Sequence, residues 1–138
     1  MSRSGPVGIG IVGAGVISDT YLENLAAFAD TEVLAIGDLR PEAARAKAAK
    51  HGIAVAGDVD VVLADLNVEI VVNLTIPAAH AEVSGRALAA GKHVWSEEPL
   101  ALDRAGGRAS RGAFVPVESA VAVAPLLPDD WDARRATV

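Results

Sequence analysis

Short apolar runs alternate with segments of helical periodicity along most of the chain. Residues 7–12 form an apolar run that is too short for a helix and stops at glycine, which is typical of a buried strand. The next apolar residues recur at helical spacing: Ile17, Tyr21, Leu22, Leu25 and Phe28. Residues 32–36 then resume a strand that ends at Asp38. The pattern up to that point therefore predicts a strand, a helix and a second strand.

The alternation continues beyond this unit. Further strands are predicted at residues 53–57, 68–74 and 93–96. Further helices are predicted from a start at residues 40–42 to residue 50, from a cap at Asp58 to an end around residues 64–67, and at residues 80–90. Strands that alternate with helices form a parallel sheet joined by right-handed crossovers. We therefore predict an α/β fold, a doubly wound parallel sheet of about five strands in a single domain.

The turn between the first strand and the first helix, from Gly13 to Ser18, matches the dinucleotide fingerprint G-x-G-x-x-G/A at its two glycines. Gly13 allows a tight turn, and Gly15 lets the backbone approach a pyrophosphate closely. The free N–H groups at the helix start, at Val16 and Ile17, favour the same anion, as does the helix dipole. Ser18 stands where glycine or alanine is usual and is small enough for close packing. The turn predicts the phosphate site of a Rossmann fold.

An acidic residue ends the second strand. The presence of such an acid distinguishes a dinucleotide site from an ordinary glycine-rich turn. In a Rossmann unit this acid, here Asp38, accepts a hydrogen bond from a ribose hydroxyl. Arg40 follows two residues later, where an arginine could meet a 2′-phosphate. Asp38 therefore favours NAD and Arg40 permits NADP, so the sequence leaves the choice between the two cofactors open.

Candidate site residues also follow the two later apolar strands. Thr75, Pro77 and His80 come after one strand, and Glu97 and Glu98 come after the next. Because ligands of open parallel sheets lie outside the carboxyl ends of the strands, all five are predicted at the edge that holds the glycine turn. His80 is a candidate catalytic group, with a surface or capping role as the alternative. Successive residues of an extended chain point in opposite directions, so one of the two glutamates is expected to face a cofactor.

The composition narrows the classes of partner and compartment. The 138 residues suffice for one core, and a formal net charge of -6 without a long basic run argues against nucleic acid or an anionic membrane as a partner. No cysteine is present, which removes disulfides and thiolate metal sites and fits a cytoplasmic protein; no metal site is predicted. Residues 1–6 are interpreted as a loose lead, and no apolar stretch reaches the ~18 residues that a membrane span needs.

Four stretches resemble the N-terminal half of the Gfo/Idh/MocA oxidoreductases, over residues 7–103. They are Ile9 to Ile17, Asp38, Thr75-Ile76-Pro77 with His80, and Ala90 to Ala101. The resemblance implies that the glycine turn holds the pyrophosphate and that Asp38 contacts the adenosine ribose. It places Thr75, Pro77 and His80 along the nicotinamide half. It also implies hydride transfer between the nicotinamide of NAD or NADP and a carbon of a sugar- or polyol-like substrate.

One residue departs from the family's signature. The family has Glu-Lys-Pro after its fifth strand, and the lysine helps to position the substrate and assists proton transfer; this chain has Glu97, Glu98 and Pro99. Glu98 thus puts an anion in the place of a cation, which reverses each electrostatic interaction at that position. A non-catalytic dinucleotide-binding module is therefore an alternative. A methyltransferase is another, because glycine-rich turns also bind S-adenosylmethionine.

Residues 104–138 are rich in arginine, glycine, alanine and proline and lack a regular helical pattern. We expect an irregular tail there, the product of a truncated or shifted reading frame. The alternative is a genuine short tail in which residues 121–123 add an edge strand. Family members continue into a substrate domain, which this chain is too short to include. An open sheet edge and a missing domain would expose apolar surface, which leaves self-association open.

Overall fold

The computed structural model describes residues 4–97, 99, 101–112 and 121–123. Its strands are β1 (Val7–Val12), β2 (Thr31–Gly37), β3 (Val55–Gly57), β4 (Ile70–Asn73), β5 (His93–Ser96) and β6 (Val121–Val123). Its helices are α1 (Val16–Ala27), α2 (Pro41–His51), α3 (Val59–Ala64), α4 (Pro77–Ala89) and α5 (Arg104–Gly112). Strands and helices alternate, as the sequence predicts. Within these residues no helix combines the length and the apolar character that crossing a membrane requires.

The strands form one parallel sheet in the order β3-β2-β1-β4-β5-β6. The chain builds outward from β1 to β3, crosses back, and builds in the other direction from β4 to β6. The strand order therefore reverses between β1 and β4, and doubly wound sheets bind their ligands at such a switch point. The predicted α/β fold is confirmed, with six strands where about five were expected.

The register brings the ends of four strands to one level at the carboxyl edge. Val12 of β1 pairs with Gly37 of β2 and with Asn73 of β4, and Asn73 pairs with Ser96 of β5. The segments that follow these four residues therefore leave the sheet side by side. Each predicted site residue follows one of these four strand ends in the sequence.

Apolar clusters cover both faces of the sheet. On one face, Leu22 of α1 and Ala44 of α2 belong to a cluster with residues of β1, β2 and β4. On the other face, Val62 of α3 and Leu88 of α4 join a second cluster. Gly10 of β1 allows α3 to approach, because a Cβ at this position would lie 2.4 Å from a methyl group of Val62. Small residues thus set the close helix–sheet distance that a doubly wound fold needs.

Two residues of the predicted apolar stripe of α1 are not in the core. Leu22 is buried, but Ile17 and Phe28 are exposed. Ile17 lies in the first helical turn, beyond the carboxyl edge of the sheet, and Phe28 follows the last residue of the helix. Helical spacing identified the correct face, but the sheet covers only the middle of that face.

Local signals set the helix boundaries. Pro41 opens α2 and Gly52 follows it in the left-handed conformation, with φ of 70°. The Asp58 side chain accepts the Val61 N–H at 3.2 Å and caps α3, as predicted. The next long helix was predicted to begin at His80. It begins at Pro77 instead, since proline is well suited to the first helical position.

The expectation of an irregular segment from residue 104 onward is wrong for two stretches. Residues 104–112 form α5, and residues 121–123 pair in parallel with β5, as the alternative predicted. Asp103 accepts the Gly106 N–H at 2.7 Å and supports the first turn of α5. A Cβ at Gly106 would lie 3.2 Å from the Cβ of Ala101, so glycine at this position allows close packing. The sequence pattern had suggested instead that glycine would interrupt a helix here. Residues 113–120 and 124–138 lie outside the described part.

Candidate cofactor site

Gly13 makes the turn at the end of β1 in a conformation that suits only glycine. Its φ is 110°, and an added Cβ would lie 2.5 Å from the Leu74 carbonyl oxygen. Its N–H donates to the Gly37 carbonyl oxygen at 2.8 Å. The turn is therefore fixed between the ends of β2 and β4, at the switch point of the sheet.

Gly15 serves a different purpose. It is the N-cap of α1 with φ of -73°, which any residue can adopt, and an added Cβ would meet nothing within 4 Å. The space that glycine leaves open is thus outside the protein. Val16 is 92% exposed, and the N–H groups of Val16 and Ile17 have no i−4 acceptor in the helix. The start of α1 therefore presents donors and open space to an anion.

Asp38 is oriented by the turn that it faces. One carboxylate oxygen accepts the Ala14 N–H at 2.7 Å, and the other accepts the Arg40 N–H at 2.8 Å. The Asp38 N–H donates to the Gly57 carbonyl oxygen at 3.1 Å. A carboxylate has about four lone-pair positions, so both oxygens keep the capacity to accept further donors. The acid is therefore fixed beside the glycine turn and can accept further hydrogen bonds.

A cleft of about 310 Å³ joins these elements. It is lined by Gly13, Gly15, Asp38, Leu39, Arg40, Leu74, Thr75 and Ile76. Five of these are predicted site residues. The sequence reasoning missed the apolar walls Leu39 and Ile76, which are 71% and 65% exposed. The sequence did contain an indication of these two residues. Each is apolar and directly follows a predicted polar site residue, at a position that the core does not require to be apolar.

Asn73 fixes the loop that carries Thr75. Its side-chain oxygen accepts the Thr75 hydroxyl at 2.6 Å and the Thr75 N–H at 3.2 Å. Its side-chain nitrogen donates to the His80 carbonyl oxygen and to the Ser84 hydroxyl, both at 3.0 Å. Asn73 is fully buried; two of these hydrogen bonds hold Thr75, and the other two join β4 to α4.

Glu97 is held by a side-chain network on the α1 side of the sheet. The Tyr21 hydroxyl donates to its carboxylate, and the Trp95 indole N–H donates to the Tyr21 hydroxyl at 3.2 Å. Burial, followed by the hydrogen bond to Glu97, raises the pKa of Tyr21 above 10.0. The network therefore keeps a neutral tyrosine between the end of β5 and helix α1.

Several predicted residues lie near the cleft but do not line it. Pro77 opens α4, and His80 is 1% exposed with both ring nitrogens against backbone carbonyl oxygens. The Glu97 carboxylate is bound to Tyr21. Glu98 lies outside the described residues. The roles predicted for these four positions stay predictions, as do those of the residues that line the cleft.

A larger apolar groove of about 510 Å³ lies elsewhere on the sheet. It is lined mainly by aromatic and apolar side chains: Tyr21, Leu25, Phe28, Ile70, Val72 and Trp95. It shares no lining residue with the cleft at the glycine turn. The groove marks a part of the α1 face that the described helices leave open over β4 and β5.

The reversed strand order, the glycine turn, the acid after β2 and the cleft between them define a dinucleotide-binding protein. The chain belongs to the GFO_IDH_MocA family, described as an oxidoreductase family with an NAD-binding Rossmann fold, which it matches over residues 7–111. The match continues past the predicted boundary at residue 103 and includes most of α5.

Three known proteins illustrate what this chain is similar to in sequence or in structure. An inositol 2-dehydrogenase of Rhizobium meliloti is 33% identical over 97 residues, which are 70% of this chain and 29% of that protein. The WlbA dehydrogenase of Bordetella pertussis, in complex with NADH and UDP-GlcNAcA, has a TM-score of 0.81 and 27% identity over 88% of this chain and 36% of its own. A mutant of KijD10, a 3-ketoreductase of Actinomadura kijaniata in complex with TDP-benzene and NADP, has a TM-score of 0.79 and 28% identity over 86% and 37%. The chain thus spans less than a third of the length of that curated relative.

Proposed function

We propose that this chain binds NAD or NADP as the cofactor half of an oxidoreductase. The observation that carries the proposal is the cleft in which Gly13, Gly15 and Asp38 meet at the switch point. Gly15 and the start of α1 take the pyrophosphate, because open space and free N–H donors coincide there. Asp38 accepts the hydroxyls of the adenosine ribose.

The walls of the cleft fit the adenine base. Leu39 and Ile76 are large, apolar and exposed, and both line the cleft beside the ribose acid. Covering them with a flat base would remove apolar surface from water, at roughly 25 cal/mol for each Å². Arg40 is exposed next to Leu39 and supplies a cation for a 2′-phosphate, while the Asp38 carboxylate opposes one. Both NADH and NADPH therefore belong in the test.

The proposed reaction of the whole protein is hydride transfer between the nicotinamide and a hydroxyl or carbonyl carbon of a polyol- or sugar-like molecule. It is supported by the relative named inositol 2-dehydrogenase and by the structural neighbours with sugar-nucleotide or related ligands. The cofactor supplies the hydride chemistry, and this chain supplies its position. A second candidate is a non-catalytic binding module, which the anionic Glu98 in the place of the family's lysine favours.

Calorimetric titration of the chain with NADH and NADPH tests cofactor binding. We expect saturable binding that weakens about tenfold or more in Asp38→Ala, because hydrogen bonds to a charged group are lost. The matched control is Asp60→Ala, which removes the same charge from an exposed position on α3. A folded chain that binds neither nucleotide, or that binds them equally well without Asp38, would refute the proposal.

Turnover separates the two candidates. Oxidation of myo-inositol by NAD, measured as NADH appearance and lost in Gly15→Ala, would support the oxidoreductase. Saturable NADH binding without turnover, followed by a gain of turnover in Glu98→Lys, would assign the chain to the binding-module class and identify Glu98 as the reason.

A further inference from the structure

The described helices leave part of the α1 face of the sheet uncovered, and the strand order explains why. Helices α1 and α2 lie on this face, whereas α3 and α4 lie on the opposite face and α5 packs beside α4. Because crossovers are right-handed, their helices change face where the direction of strand addition reverses. The crossovers that lead from β3 to β6 therefore leave the α1 face of β4 and β5 open.

The open area is the apolar groove of about 510 Å³. Ile70 and Val72 of β4 line it together with Trp95 of β5 and Phe28, which follows α1. Phe28 is 58% exposed and Trp95 is 37% exposed. Among the described residues of its lining, Asp30 is the one that carries a charge. Grouped exposed aromatic side chains are typical of an interaction surface, so the groove has the chemistry of a docking site for an apolar segment.

The chain supplies such a segment directly after β6. Residues 124–138 follow that strand and lie outside the described part. Their sequence carries three large apolar residues: Leu126, Leu127 and Trp131. Two cations, Arg134 and Arg135, come next and are complementary to the charge of Asp30. The aspartates between the apolar residues and the arginines are suited to water.

The segment also begins close enough to reach the groove. Ala122 of β6 pairs with Trp95, and neighbouring strands lie roughly 5 Å apart. Eight residues lead from Val123 to Trp131 (131 − 123), and an extended chain covers about 3.3 Å for each residue. The apolar residues of the segment can therefore span the groove from Trp95 to Phe28.

We propose that residues 124–138 fold back over the α1 face and cover the apolar groove. The three large apolar residues of the segment pack against the exposed aromatic side chains, and its arginines lie near Asp30. The cover shields from water the hydrogen bonds that Trp95 donates to Tyr21 and that Tyr21 donates to Glu97. This inference does not depend on cofactor binding.

Cross-linking within one chain tests where the segment lies. The sequence contains no cysteine, so two introduced thiols are the only ones present. Asn24→Cys in the groove lining and Ala133→Cys in the segment leave all the apolar residues in place. We expect a short bis-maleimide to join this pair within the monomer. The matched control combines Ala133→Cys with Asp60→Cys, an exposed position of α3 on the opposite face, and should not be joined.

Quenching of Trp95 fluorescence by acrylamide tests the cover itself. In a Trp131→Phe chain, Trp95 is the single tryptophan and position 131 keeps an aromatic ring. We expect Leu127→Asp in this background to raise the quenching constant about twofold, because contacts that exclude water are lost. Thr137→Asp adds the same charge to the segment without removing an apolar residue, and it should change the constant little.

Three results would overturn the proposal. Cross-links that join two chains, with Trp95 protected only at high protein concentration, would assign the groove to a second copy of the chain. Equal cross-linking of both thiol pairs would show that the segment has no preferred position. An unchanged quenching constant in a folded Leu127→Asp chain would show that the segment does not cover Trp95. Neither measurement uses a nucleotide, so failure to bind NADH would refute the proposed function and leave this inference standing.

Discussion

At the scale of single residues, Gly13 and Gly15 tolerate a side chain very differently although they are two positions apart. A Cβ at Gly13 would meet the Leu74 carbonyl oxygen, whereas a Cβ at Gly15 would meet nothing in the protein. The fold therefore requires glycine at position 13, whereas Gly15 leaves open space where we propose that the pyrophosphate binds.

This difference predicts opposite phenotypes for two alanine variants. Gly13→Ala should lower the free energy of unfolding by about 3 kcal/mol, from backbone strain and a clash that flexible side chains cannot relieve. Gly15→Ala should change it by less than about 1 kcal/mol, yet weaken NADH binding, because its methyl group enters the pyrophosphate path. Urea unfolding and calorimetry on both variants check this. Comparable stability in the two variants would contradict it.

Asn73 is the residue on which the loop after β4 depends. Removing its side chain in Asn73→Ala leaves the buried Ser84 hydroxyl and the Thr75 N–H without their partner. We expect a loss of about 2–4 kcal/mol in the free energy of unfolding, since several hydrogen bonds are broken and a cavity forms. Ser84→Ala, which removes a single bond, should cost about 1 kcal/mol. Urea unfolding measures both changes. Equal losses of unfolding free energy in the two variants would show that the loop does not depend on the other hydrogen bonds of Asn73.

Residue patterns predicted the residues that line the cleft better than the buried polar residues that hold the surrounding backbone in place. Gly13, Gly15, Asp38, Arg40 and Thr75 were identified because a short fingerprint and the ends of strands are local signals. Asn73 interrupted an apolar strand, and the sequence gave no indication of the four hydrogen bonds that its side chain makes with Thr75, His80 and Ser84. Lys92 is similar: its ammonium donates to the carbonyl oxygens of Asp65 and Val68, and burial lowers its pKa. Such partners are set by tertiary packing, which sequence spacing does not encode.

At the scale of elements, one carboxylate ties α1 to α2. Asp19 in the first turn of α1 accepts from Lys47 at 2.8 Å, Lys50 at 3.1 Å and His51 at 2.7 Å, all on α2. Hydrogen bonds from Lys47, then His51 and Lys50, lower the pKa of Asp19 well below its ordinary value of 3.8. The basic residues in the last turns of α2 therefore share one anion on the neighbouring helix.

The Asp19 cluster predicts a pH-dependent stability. Because the folded-state pKa is depressed, the stabilisation is fully present above the unfolded-state pKa of about 4 and is lost as the pH falls toward the folded-state value. Asp19→Asn should therefore lower the melting temperature at pH 6, and the difference from the unmodified chain should shrink below about pH 4. Thermal unfolding between pH 3 and 7 checks this. Asp60→Asn, at an exposed pair, should show little effect at any pH.

Element types were predictable where periodicity and caps agreed, as for α2 between Pro41 and Gly52. They were not predictable for α5, because Gly106 and Gly107 lower the intrinsic helix propensity. Packing of α5 beside α4 outweighs that preference. Propensity is local, whereas the helix that compensates for it ends fifteen residues before α5 begins (104 − 89).

At the scale of the whole molecule, the cleft couples cofactor binding to the stability of the sheet. It draws on residues after β1, β2 and β4, so a bound nucleotide stabilises the assembled switch point. NADH at a hundred times its Kd should add about 2.7 kcal/mol and raise the melting temperature by about 10 °C. Differential scanning fluorimetry measures the shift. A shift that persists in Gly15→Ala would show that the nucleotide binds elsewhere.

The hydrogen bond from Trp95 to Tyr21 also gives the molecule an optical property. The sequence contains two tryptophans, and in a Trp131→Phe chain the indole of Trp95 is the single strong emitter. It is fixed on β5, two strands from the glycine turn. Reduced nicotinamide absorbs light at the wavelengths that indole emits. If NADH binds in the cleft as we propose, we expect it to quench the fluorescence of Trp95, so that binding can be followed without any label.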